Sequence, residues 1–114
     1  MLVRLRESYL VADGPVTLTV DVGEGQKAFV EVMLAGAVIG SGSRIPELQV
    51  GHGPAIAGQK LRITSTVTDT NDKTNRTSVT YTLAGGKETR RFASAHEVDS
   101  EGDTVDYDAI FLLI

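Results

Sequence analysis

The chain has no cysteine and no tryptophan, only 3 prolines, and 5% aromatic residues. Without cysteine there can be no disulfide framework, no thiolate metal site and no cysteine nucleophile. Small exported domains commonly lean on disulfides, so the cysteine-free composition favours the cytoplasm. Long apolar runs are missing too: nothing approaches the roughly 20 residues of a membrane span. Arg4, Arg6 and Glu7 stand where a signal peptide would need its apolar segment. If Met1 is the native start, a cytoplasmic protein with no membrane association is therefore expected. A formal net charge of -4 argues against nucleic acid as a partner, because binding phosphates calls for a basic face.

What is present points to one globular domain spanning 1–114. The 41% hydrophobic and 23% charged fractions are ordinary for a folded domain that buries a core of its own. Alternation of period two dominates. Val16, Leu18, Val20 and Val22 share one face of a strand, as do Val30, Val32 and Leu34. Leu61, Ile63 and Val67 alternate with Arg62, Thr64, Thr66 and Thr68, and Val79, Tyr81 and Leu83 alternate with Ser78, Thr80 and Thr82. In the N-terminal run, Val3, Leu5, Tyr9 and Val11 alternate, with Glu7 as the misfit. Gly-centred turns (ADGP, GEGQ, AGG and SEGD) separate the runs. SRIPELQVG reads as a short helical turn or an edge segment, and the Gly-rich stretch 35–43 reads as a wide turn or bulge. No sustained helical stripe appears. The expected fold is a single-domain, antiparallel, all-β sandwich of about eight strands, immunoglobulin-like or jelly-roll in architecture.

TDTNDKTNRTS, residues 68–78, combines acidic and amide residues in the manner of a calcium loop. Counted from Asp69, however, Lys73 falls in the fifth ligand seat, Thr74 in the Gly seat and Thr80 in the seat of the final Glu. Asn75-Arg76-Thr77 matches a glycan acceptor, which requires export, and no export signal is seen. The expected role is a hairpin connection closed by Asn and Asp side chains. That hairpin would set Thr64, Thr66 and Thr68 opposite Ser78, Thr80 and Thr82 as a wall of hydroxyls, the feature behind a carbohydrate-binding alternative.

The strongest charge feature is a run without Lys or Arg that carries Glu97, Asp99, Glu101, Asp103, Asp106 and Asp108. Clustered carboxylates steer a basic protein surface, so these six are the candidate partner-binding residues. Asp99, Glu101 and Asp103 alternate around Gly102, which makes them a candidate calcium site and the only cofactor suggestion. Lys87, Arg90 and Arg91 are the nearby cations, expected to pair with this run if the last two strands are neighbours. His52 and His96 are the only histidines, too few for an ordinary zinc site, and no nucleophile motif accompanies them. AIFLLI at the C-terminal end is apolar on both faces, as though covered on both sides, and Phe29 and Met33 suggest the same for their strand.

These features favour a non-catalytic protein–protein binding module. It would be either a small subunit of a larger assembly, self-associating or with other proteins, or an acidic inhibitor of a basic protein. A calcium- or carbohydrate-binding sandwich is the alternative.

Overall fold

The computed structural model describes all 114 residues. Nine strands form: β1 (Leu2–Tyr9), β2 (Pro15–Val22), β3 (Lys27–Leu34), β4 (Ala37–Gly42), β5 (Ile45–His52), β6 (Lys60–Thr68), β7 (Arg76–Ala84), β8 (Arg90–Glu97) and β9 (Thr104–Leu113). A single helical turn, α1 (Gly53–Ile56), follows β5. One sheet has the order β1-β9-β6-β3-β4 and the other β5-β2-β7-β8, so the protein is an all-β sandwich.

The alternation seen in the sequence sets the core. The inward positions of β2, β6 and β7 (Val16, Leu18, Val20; Leu61, Ile63, Val67; Val79, Tyr81, Leu83) are all buried in one cluster of 22 apolar residues. Phe111 from β9 lies within it. Its ring forms an edge-to-face pair with Tyr81, centroids 5.8 Å apart, and a tilted pair with Phe92, centroids 5.1 Å apart. Such aromatic pairs add to what area burial alone provides.

Several expectations need correction. The connection after β6 is not a hairpin: β6 pairs with β3 and β9, whereas β7 pairs with β2 and β8 in the opposite sheet. Thr64, Thr66 and Thr68 therefore lie on one outer face of the molecule and Ser78, Thr80 and Thr82 on the other, with the core between them. Alternation tells which residues face inward, but it is identical whether the chain turns back within a sheet or crosses to the other one. One pairing, β1 with β9, is parallel. The whole intervening chain serves as its crossover, so no tight turn is required.

The stretch 35–43 proves to be half of a hairpin. Ala35 and Gly36, at φ 50° and 85°, make a two-residue turn of the kind that suits strand twist. β4 then runs back along β3, with a register shift between Val32 and Met33. Of the two readings of SRIPELQVG the edge segment holds: residues 45–52 are the edge strand β5, and a helical turn comes next, in Gly53–Ile56. No helix is long and apolar enough to cross a membrane.

The two ends of the sandwich are built differently. At one, which we call the closed end, Tyr9 reaches across to the β7–β8 connection. Its hydroxyl donates to the Glu88 carbonyl at 2.7 Å and accepts the Gly86 N–H at 2.9 Å. The backbone there is pressed so closely that a Cβ on Gly85, where φ is 91°, would collide with the Pro15 carbonyl oxygen. The other end, which we call the open end, carries the β2–β3, β6–β7 and β8–β9 connections.

Candidate functional site

The structure divides the six acidic candidates among three settings. Asp108, in the middle of β9, is nearly buried and is held by two guanidinium groups. Arg62 on β6 donates through Nε to Oδ1 at 2.9 Å and through Nη2 to Oδ2 at 3.3 Å. Arg6 on β1 adds a longer contact to Oδ2 at 3.5 Å and donates to the Asp108 carbonyl at 3.1 Å. Burial alone would push the Asp108 carboxyl upward. The hydrogen bond and charge of Arg62, with a smaller share from Arg6, outweigh it and hold the carboxyl below its usual range. Asp106, two residues earlier on the same face, is exposed and accepts from the Thr66 hydroxyl at 2.9 Å. Glu97 closes β8, and Asp99, Glu101 and Asp103 lie in the connection at the open end.

At that end a depression of about 360 Å³ is lined by Met1, His96, Glu97, Val98, Asp99, Asp103 and Thr104. No group of three or more His, Asp or Glu side chains gathers at metal-binding range anywhere in the protein. Asp99, Glu101 and Asp103 thus share a loop without converging on a point. Lys87, Arg90 and Arg91 do not pair with the acidic run, because β8 and β9 lie in different sheets. Arg90 instead covers the Phe92 ring, 4.7 Å from its centroid, an attractive cation–aromatic contact. The ion pairs that form are those of Asp108 and one between Arg76 and Glu24 at 3.5 Å. His52 pairs with Pro15 at the closed end and His96 with Thr77 at the open end, so the two imidazoles do not meet.

The 69–75 connection is organised by Gln26, a residue to which the sequence draws no attention. Gln26 is buried, and its Oε1 accepts the backbone N–H groups of Thr70 and Asn71 at 2.7 and 2.8 Å. Its Nε2 donates to the carbonyls of Thr74 and Arg76. One amide side chain thereby takes the place of a local turn network. Asn71 adds an Asx-type bond to the Lys73 N–H and ties back to the Glu24 carbonyl. Thr77, of the glycan-like triplet, is fully buried and donates to the His96 carbonyl at 2.7 Å. With that proton committed, the Tyr107 hydroxyl is the donor in the 2.6 Å bond between Thr77 and Tyr107. Burial raises the Tyr107 phenol above its usual range, and the Thr77 bond works against the rise.

The outer face of the five-stranded sheet also carries large apolar groups in water. Phe29 on β3 is 56% exposed and Val38 on β4 is 58% exposed, with Leu2 and Leu112 also exposed. The sequence-based expectation that Phe29 is covered does not hold within the chain. Register places Ile110, Arg62, Met33 and Val38 in one row across β9, β6, β3 and β4. The row borders a shallow depression of about 480 Å³ that includes Met33, Lys60, Arg62 and Ile110. The outer face of the four-stranded sheet differs, presenting Thr17, Thr19, Ser78, Thr80 and Thr82 together with Ala93 and Ala95.

Comparison with protein-family models, with curated proteins and with solved structures found no match for this chain.

Proposed function

We propose that the protein is a non-catalytic protein–protein binding module, a subunit that joins copies of itself through the outer face of the five-stranded sheet. The observation that carries this reading is the exposure of Phe29 and Val38, with Leu2 and Leu112, on that one face. Large apolar groups exposed across one sheet face favour a partner over water. Beyond the Asp108 pairs, the same face carries both signs of charge, with Arg4 and Lys60 on it together with Glu31. A surface of mixed sign can complement a second copy of itself across a two-fold axis.

An acidic inhibitor of a basic protein is less well supported. Asp108 is committed to two arginines and Asp106 to a threonine. Glu97, Asp99, Glu101 and Asp103 are then left as the acidic surface.

Sedimentation of the wild type and of a Phe29→Lys, Val38→Lys double variant tests the reading. Both positions are exposed, so the double variant should keep its melting temperature. Self-association that disappears in the variant supports the proposal. A wild type that stays monomeric at high concentration, or a variant that associates as well as the wild type, would overturn it.

A further inference from the structure

Asp69 continues the inward alternation of β6, after Leu61, Ile63, Ser65 and Val67. It is 1% exposed, and neither of its carboxylate oxygens has a hydrogen-bond partner. A buried carboxylate with both oxygens unanswered is among the costliest groups a fold can hold. Asp108, on the neighbouring strand, has two arginines, whereas Asp69 takes part in none of the ion pairs.

A second carboxylate stands opposite it. The Asp69 N–H donates to the Asp103 carbonyl at 2.9 Å, and the Gly102 N–H donates to the Asp69 carbonyl at 2.8 Å. With Gly102 at φ 89°, this is a bulge in which Gly102 and Asp103 together face Asp69. The bulge extends the β6–β9 ladder beyond Thr68 and Thr104, so Asp103 stands opposite Asp69 at the rim of the sandwich, its side chain exposed where that of Asp69 is buried. Side chains directly opposed in such a ladder have Cβ atoms about 5 Å apart. Asp103 spends Oδ2 on the Ser100 N–H, leaving Oδ1 for a ligand.

We infer that Asp69 and Asp103 bind a calcium ion at the open end of the sandwich. The donors are all oxygen, which suits a hard cation rather than zinc. Calcium tolerates irregular shells completed by carbonyls and water, whereas magnesium demands a strict octahedron. Only two carboxylates contribute, which places the dissociation constant at about 0.1–1 mM. This inference is independent of the self-association reading.

The test is thermal unfolding of the full chain with and without about 10 mM calcium, ionic strength being matched with sodium chloride. The wild type should gain roughly 4–10 °C. Asp69→Asn keeps the shape and removes the buried charge, so it should fold and show no gain. Asp103→Asn should show a reduced gain, and calorimetric titration should rank the three proteins in the same order. No gain in the wild type, an equal gain in Asp69→Asn, or an equal gain with magnesium would overturn the assignment. Should Asp69→Asn fail to fold, the titration of Asp103→Asn decides: weakened binding supports the site and unchanged binding refutes it.

Discussion

The closed and open ends of the sandwich handle their buried polar groups in opposite ways. At the closed end the chain satisfies itself. Tyr9 bonds two backbone groups of the β7–β8 connection, Lys87 N–H donates to Leu10, and Val11 N–H donates to Ile114. At the open end a single side chain, Gln26, holds a whole connection, and the Asp69 carboxylate is left without a partner. The closed end thus reads as scaffold. The open end reads as the place where the fold keeps bonding capacity in reserve.

The contrast breaks most sharply at Gly85. An alanine there would meet the Pro15 carbonyl and force a side chain into a left-handed backbone. Gly85→Ala should therefore lose about 3 kcal/mol or more. Chemical denaturation will read this, and a loss under about 1 kcal/mol would mean the closed end is looser than described. Gln26→Ala should rank next, because four backbone groups lose their partner. Water replaces that partner only in part, so the loss should be about 2–3 kcal/mol. Hydrogen exchange should show faster Thr70 and Asn71 amides in that variant while the closed end stays protected. Tyr9→Phe removes two bonds without changing shape, and Gly86 is the amide that should lose protection. Its cost should be about 1 to about 2 kcal/mol by denaturation.

The smallest effect concerns Asp108. Its folded carboxyl lies below the unfolded value, so its stabilisation is complete above the ordinary carboxylate range. It is lost as pH falls through the lower folded value. The arginines are half exposed, so the contribution should stay below about 1 kcal/mol. Acid titration of stability in Asp108→Asn should lack this component, and an identical profile in both proteins would show that the two guanidinium contacts contribute nothing.

Much of the sandwich is legible in the chain because period two is a local property. The inward residues of β2, β6 and β7 can be read without knowing their neighbours. Pairing is not local, which is why the path after Thr68 resembles a hairpin in sequence and is a crossing between sheets in space. Gln26 leaves no trace in the sequence: its partners lie 44 to 50 residues away, and a lone glutamine beside a Gly turn looks like solvent-facing filler. Asp69 does leave a trace. Extending the series 61, 63, 65, 67 by one more step assigns it to the inner face, but the loop-like composition around it outweighs that signal. The acidic run is visible as charge. Its division between an arginine-clamped residue, a threonine-bonded one and a loop depends on which strands flank β9.

The parallel union of β1 and β9 bears on how the molecule would respond to force. Eight residue pairs, from Leu2 beside Asp106 to Tyr9 beside Leu113, join the first strand to the last. Because the strands run the same way, tension applied at residues 1 and 114 pulls them along their length in opposite directions. The rungs are loaded together in shear, where an antiparallel hairpin pulled from its open end would unzip one rung at a time. As a link under load, this sandwich would yield late and all at once.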